Sequence, residues 1–313
     1  MRRPVRAIAA SCSMLAIIAV AGLIRPLPAA EFKDAVSAYN AGDYATALQI
    51  LKPLADGGDV QAQVAIGSLY ADGRGVDQNY TDAKAWFQRA ADQGSSRAQF
   101  NIGSLHYHGQ GVVRDYAEAF AWFERAASQG YPDAQFMLAT MLAEGKGTAK
   151  GDAAAAKWYQ MAAGNGHSGA QFNLALHYAK GRGVAQSDQE AAKWVVLAAR
   201  QGHVLAQYNL GILYSTGRGV SRDEAEATSW YRRAAEQGYV LAQSTLGLRF
   251  LEGRGATRDK IEAFLWLNLA SARGDSRATR HRDSVAQTMT SEQLAEAQRR
   301  VRDWKPLAPQ PRQ

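Results

Sequence analysis

The side chains here with the means to do chemistry are few, and their spacing argues against most reactions. The six histidines are His106, His108, His167, His177, His203 and His281, and the one cysteine is Cys12. His106 and His108 stand at i and i+2, a spacing that does not put two imidazoles on one helical face, so no zinc pair is expected. His167 and His203 each follow a glycine in a turn and read as structural. With the cysteine confined to the N-terminal segment, the body of the protein offers no thiolate nucleophile and no sulfur-ligated metal site. Paired glycines recur at Gly73, Gly109, Gly181 and Gly217 in a Gly-x-Gly-Val pattern. Phosphate-cradling loops follow a strand and need a further glycine opening a helix. These pairs join two helical stretches, so they read as tight reversals that require positive φ. There is no Gly-x-Ser-x-Gly, no His-Glu-x-x-His and no Ser-x-x-Lys. The expectation is a protein with no catalytic residue, no metal and no cofactor.

Charge narrows the class of partner. The formal net charge of +7 invites a nucleic-acid reading, but four of the 36 basic residues are Arg2, Arg3, Arg6 and Arg25, in a stretch with no acid. The other 32 face 29 acidic residues, and the excess of three sits near Arg277, Arg280, Arg282, Arg299, Arg300 and Arg302. A diffuse balance of this kind is a solvated exterior. Nucleic acid is not an expected partner, because that needs a clustered basic face.

Residues 1–30 have the form of a secretory signal peptide. Arg2, Arg3 and Arg6 precede an apolar run from Ala7 to Ile24, which leads into small residues and an expected cut near Ala29 or Ala30. The alternative is an uncleaved inner-membrane anchor, since the run approaches the length of a bilayer span. Either way the rest of the protein is expected on one side of the membrane, in the periplasm or beyond.

The elements that position everything else come from a 36-residue period. Trp86, Trp122, Trp158, Trp194, Trp230 and Trp266 follow one another at that interval, and the glycine pairs keep the same beat. A unit this short cannot bury its own apolar face, so the period implies stacked units. Each unit reads as two helices. Helix A is expected to begin near Ala62, Ala98, Ala134, Ala170, Ala206 and Ala242, each followed by Gln. Helix B is expected to open with a capping box, at Asp115-x-x-Glu118, Ser187-x-x-Glu190, Asp223-x-x-Glu226 and Asp259-x-x-Glu262, and to end at a glycine such as Gly130. Alanines at the places of Ala119 and Ala126 let backbones approach closely, and the tryptophans are expected to fill the core. The third unit, with Gly147-Thr148-Ala149 and no capping box, is expected to have a looser turn.

With those residues in hand, the sequence resembles the Sel1-like repeat family, a branch of the tetratricopeptide-type solenoids. The pattern is Ala206-Gln207-x-x-Leu210-Gly211-x-x-Tyr214-x-x-Gly217-x-Gly219-Val220, then Ala227, Trp230 and Ala234-Ala235 before Gly238. It covers residues 61–274 in six copies, with Ala139 and Ala175 replacing the helix-A glycine. The fold this implies is all-α, a right-handed α/α superhelical solenoid. The expected organisation is a signal peptide (1–30), a tetratricopeptide-like hairpin (31–58), six repeats (59–274), capping helices (275–304) and a disordered tail (305–313). In the last helix, Thr290 to Gln293 form the cap, and Leu294, Ala297, Val301 and Trp304 the apolar stripe.

The resemblance implies an adaptor of the bacterial cell envelope that holds a protein or peptide partner in the concave groove. Arg97, Asn101, Ser104 and His108 share one stripe of helix A, away from the Ala, Ile and Leu side. Asparagine is a poor helix-interior residue, yet it recurs in the stripe at Asn101, Asn173 and Asn209. Asn101, His108, Asn173, Lys180 and Asn209 are therefore the candidate partner-binding residues. The alternative is that the asparagines only bond neighbouring helices. Rival functions are a periplasmic regulator docking on a sensor kinase ectodomain and, from the exported branch of the family, a β-lactam-directed or cell-wall-active enzyme.

Overall fold

The computed structural model describes residues 29–307, and sixteen helices and no strand lie among them. The expected signal segment and its cleavage site fall largely outside the described residues. Among those described, no helix is long and apolar enough to cross a membrane. A hairpin of α1 (Ala29–Asn40) and α2 (Tyr44–Asp56) leads into six helix pairs. These are α3 (Val60–Asp72) with α4 (Tyr80–Asp92), α5 (Ser96–His108) with α6 (Tyr116–Ser128), and α7 (Pro132–Glu144) with α8 (Asp152–Gly164). The series continues with α9 (Ser168–Lys180) and α10 (Asp188–Arg200), α11 (Val204–Thr216) and α12 (Glu224–Glu236), then α13 (Val240–Glu252) and α14 (Lys260–Ser271). Each helix A packs on its own helix B, and each helix B on the next helix A, as a linear stack requires.

Two alanine columns set the spacing. The helix-A alanines from Ala62 to Ala242 and the helix-B alanines from Ala90 to Ala270 are completely buried in all six units. The glutamine after each helix-A alanine is buried too, and an amide in that position must find partners. Gln171 donates to the Ala163 carbonyl of the preceding helix at 3.2 Å and accepts from Gln201 at 2.8 Å. Gln63, Gln135 and Gln207 make the same pair of bonds. At these four boundaries one side chain thus ties three helices.

Helix A starts two residues earlier than the alanines indicate, at Val60, Ser96, Pro132, Ser168, Val204 and Val240. Its N-cap residue varies, which hid it. Asp59 and Ser95 cap in the ordinary way, and His167 and His203 cap with an imidazole, Nδ1 accepting from Ala170 N at 3.0 Å and Ala206 N at 3.2 Å. Each of those rings also stacks on the previous helix A, on Phe136 and Phe172. The turn histidines are structural, as expected.

Three other expectations need correction. Helix B is capped by Asp115, Ser187, Asp223 and Asp259, but the glutamate three residues on does not reach back. Glu118, Glu226 and Glu262 instead accept from the indole of Trp122, Trp230 and Trp266 one turn further along, at 2.9 to 3.1 Å. A capping box forms only at Thr290 and Gln293 among the described residues. The tryptophans are not uniformly core: Trp230 and Trp266 are buried, whereas Trp86, Trp122, Trp158 and Trp194 are half-buried. Arg89, Arg125 and Arg233 lie over the rings of Trp86, Trp122 and Trp230 at 4.4 to 4.5 Å. The next residue, Phe87, Phe123, Tyr159, Val195, Tyr231 or Leu267, fills the core. At Gly211 a Cβ would stand 2.6 Å from the Tyr231 ring, so the helix-A glycine makes room for that residue. The third turn is no looser than the others, because Gly145 and Gly147 keep the same positive φ and Gly151 N bonds Leu142 O at 3.0 Å. Gly147 lies against the Tyr116 carbonyl, and that close approach holds its conformation without a side-chain cap.

The stack ends by folding back. α15 (Ser276–Ala286) takes the place of a further helix A, but α16 (Ser291–Asp303) packs on α14. Ala297 is buried there, Arg300 bonds Glu262 at 3.0 Å and Trp304 meets Trp266 edge-on. Residues 305–307, expected in the free tail, run back along the stack, with Leu307 N bonded to Glu236 O at 2.8 Å. The rest of the tail lies outside the described residues.

Gln171→Leu is expected to lower stability by about 2 kcal/mol, because the Ala163 carbonyl and the Gln201 amide both lose a buried partner. Urea unfolding followed by far-UV circular dichroism measures it. Burial also pushes His106 and His203 below the ordinary histidine value, with Lys84 adding to the effect at His106 and His167 at His203. Both are neutral in the fold, and the unfolded protein takes up their protons first as pH falls. Stability is therefore full above about pH 6.5 and declines below it until the folded-state values are passed. His203→Asn, which keeps a cap acceptor without titrating, is expected to flatten the fall in urea midpoint between about pH 8 and pH 5.

Candidate partner-binding site

Among the described residues no three His, Cys, Asp or Glu side chains converge to hold a metal ion. The helix-A face, where the candidate residues sit, differs from unit to unit. Asn101 lies half-buried on α5 and forms no hydrogen bond among the described residues, and His108 is exposed beside the Tyr107 ring. Lys180, the last residue of α9, is exposed and pairs with no carboxylate among the described residues. These three present free polar ends.

The asparagines do not behave alike. Asn173 Nδ2 donates to the Tyr159 hydroxyl at 3.1 Å, across to the neighbouring helix B. That hydroxyl is also 3.1 Å from Thr140 Oγ1, and burial raises its pKa. Asn209 Nδ2 bonds Leu205 O of its own helix at 2.7 Å. The helix-to-helix role therefore holds for Asn173, while Asn209 can exchange its bond for another acceptor. Nearby, Asp133 sits 3.2 Å from His167 Nε2 and accepts from Tyr131, whose pKa is raised chiefly by burial.

A second polar cluster was not foreseen. Arg249 is 5% exposed and stands in a helix-A column otherwise filled by Leu69, Leu105, Met141, His177 and Leu213. Its guanidinium donates to Thr228 Oγ1 at 2.7 Å, to Glu224 O at 2.8 Å and to Glu224 Oε2 at 2.7 Å, and lies over the Tyr231 ring. Bonds from Arg222 and Arg249 hold the Glu224 carboxyl below the usual carboxylate range. One arginine in a column that is apolar apart from His177 was the signal for it. The cluster is satisfied internally and joins the fifth and sixth units.

The Sel1 repeat model matches six consecutive stretches, 60–95, 96–131, 132–167, 168–203, 204–239 and 240–275, which coincide with the six helix pairs. No curated protein sequence matches this one. Among solved structures, a Sel1 repeat protein from Oxalobacter formigenes is 34% identical with a TM-score of 0.72, over 77% of this chain and 99% of that one. A protective antigen of uropathogenic Escherichia coli strains, described as displaying an SLR fold, is 25% identical with a TM-score of 0.49, over 88% of this chain and 83% of that one.

Asn173→Ala is expected to cost about 1 kcal/mol of stability, since the Tyr159 hydroxyl keeps only Thr140. Asn209→Ala is expected to be neutral or slightly stabilising, because alanine is the better helix former and no second helix is involved. Paired urea titrations of the two variants check the contrast.

Proposed function

This chain belongs to the Sel1 repeat family, and we propose that it is a non-enzymatic scaffold of the bacterial cell envelope that binds a protein or peptide partner along its helix-A face. The observation that carries this reading is how the side chains divide. The alanine, glutamine and glycine columns are consumed in stacking. Polar groups with unused bonding capacity remain at Asn101, His108 and Lys180, and they differ from unit to unit. Solenoid surfaces recognise partners through such unit-to-unit differences on one face. The reading places the protein in the periplasm on the strength of Arg2, Arg3, Arg6 and the apolar run to Ile24.

A photo-crosslinking residue at 101, 180 or 209 is expected to trap the same envelope protein in the native cell, identified by mass spectrometry. The same residue at Glu124, exposed on helix B, is expected to trap none. Equal crosslinking from both faces would overturn the assignment of the face. N-terminal sequencing of the periplasmic fraction is expected to begin near Ala30, and recovery only in the cytoplasm would overturn the location.

A further inference from the structure

The helix-A face is not uniform along the stack, and its gradient names the chemistry of the partner. Naming that chemistry rests on the scaffold reading. In the second and third units the face carries Arg97, Ser104, Asp133 and Thr140. From the fourth unit on the Ser104 position turns aliphatic, while the position one turn before it is polar at Asn173, Asn209 and Thr245. The equivalents of Ser104 and Thr140 are Leu176, Ile212 and Leu248, all half-buried. The equivalents of Arg97 and Asp133 in the last two units are Leu205 and Leu241, which are 41% and 50% exposed. A single exposed leucine means little, but two at one repeat position, each two turns from another aliphatic on the same face, form a strip. The N-terminal ends of the two helices are held together by Tyr208 and Tyr239, whose rings meet edge-on at 5.2 Å.

One unit further on the same column holds Arg277, at the start of α15. Asp275, which caps α15, also bonds the Ser244 side chain on α13, so this arginine comes directly after the aliphatic strip. Arg280 and His281 lie in the next turn, and all three are exposed. Among the described residues none of the three has a carboxylate within ion-pair distance, whereas Arg282 and Arg300 nearby are paired with Asp283 and Glu262. Asp275 itself is occupied with Ser244 and the amides of Arg277 and Ala278. An aliphatic strip ending in unpaired cations is complementary to one kind of segment.

The geometry points to an extended peptide that lays aliphatic side chains on Leu205, Ile212, Leu241 and Leu248 and places carboxylates against Arg277 and Arg280. Alternate residues of an extended segment face one way, so the peptide carries its aliphatic residues in a Leu-x-Leu-x pattern ahead of the acid. Two exposed guanidiniums one turn apart, with no carboxylate of their own among the described residues, call for two carboxylates, so the acid is a pair of acidic side chains.

Fluorescence anisotropy on the protein as isolated from the cell tests this with three labelled ten-residue probes of alternating Leu and Ser. One ends in Asp-Asp with an amidated terminus, one has a free terminus without Asp, and one ends in Lys-Lys amide. The Asp probe is expected to bind at least tenfold tighter than the Lys probe and tighter than the free-terminus probe, and a free-terminus probe that matches it would overturn the assignment to acidic side chains. Leu205→Ser with Leu241→Ser is expected to lose at least tenfold for the preferred probe, and Arg277→Glu with Arg280→Glu to reverse the preference toward Lys. Equal binding of acidic and basic probes, or no loss in the folded double-serine variant, would overturn the proposal. Sedimentation showing a dimer that the double-serine variant dissociates would overturn it in favour of a second copy as occupant. If crosslinks from positions 101 and 180 persist in the double-serine variant while probe discrimination is absent, the scaffold reading stands and this one alone falls.

Discussion

A buried amide holds this molecule in register. Taking the glutamine side chain of each helix A out of water is costly unless both ends are bonded. In four units the fold meets that demand with a backbone carbonyl of the preceding helix B and the residue that ends the following one, and Gln99 accepts from Gln129. Since a slip of one residue would leave both ends unpaired, the bond fixes how each unit sits on the last. The alanines beside it are small because the backbones must come close enough for the amide to reach. The end of the array is visible in the same terms. At Gln243 the residue that should close the bond is Arg273, which reaches Gly238 O instead, and Gln243 Oε1 is left without a partner. Past that point α16 turns back over α14.

With stacking assigned to that ladder, the tryptophans take a role at the edge. An indole has one polar atom and a broad apolar face, so it sits at a boundary when its N–H has an acceptor. Glu118, Glu226 and Glu262 supply the acceptor, and an arginine one turn along covers the ring in three of the units. Core filling passes to the residue after tryptophan, and at Gly211 the missing Cβ makes room for Tyr231. The helix-A face is left free to differ between units because none of these contacts uses it.

Much of this was readable from residue order. The period, the two helices of each unit, the positive-φ turns and the caps of helix B follow from spacing and residue type, and the family match falls on the same six units. The start of helix A was not readable, because its cap alternates among Asp59, Ser95, Tyr131, His167, His203 and Tyr239, and imidazole is an uncommon acceptor there. The glutamate of the apparent capping box misled for a related reason. A carboxylate at that place has two donors in reach, the backbone N–H behind it and the indole N–H ahead, and residue order does not say which is nearer. Of the candidate asparagines, Asn101, Asn173 and Asn209 are identical in the repeat, yet they differ in what stands opposite: nothing, the Tyr159 hydroxyl, and a carbonyl of the same helix.

Residue order alone dictates a stack of helix pairs, since a 36-residue recurrence of small, aromatic and glycine positions has one stable solution when no unit can bury its own face. It also dictates which positions vary. Which of the varying side chains are free to meet a partner is settled only in three dimensions, because that depends on groups brought from other units or other helices: Tyr159 to Asn173, Glu224 to Arg249, Asp133 to His167. Satisfaction of a polar group is a matter of distance in space. Residues identical in type and in register diverge there, according to whether a neighbouring helix presents a donor, an acceptor or nothing.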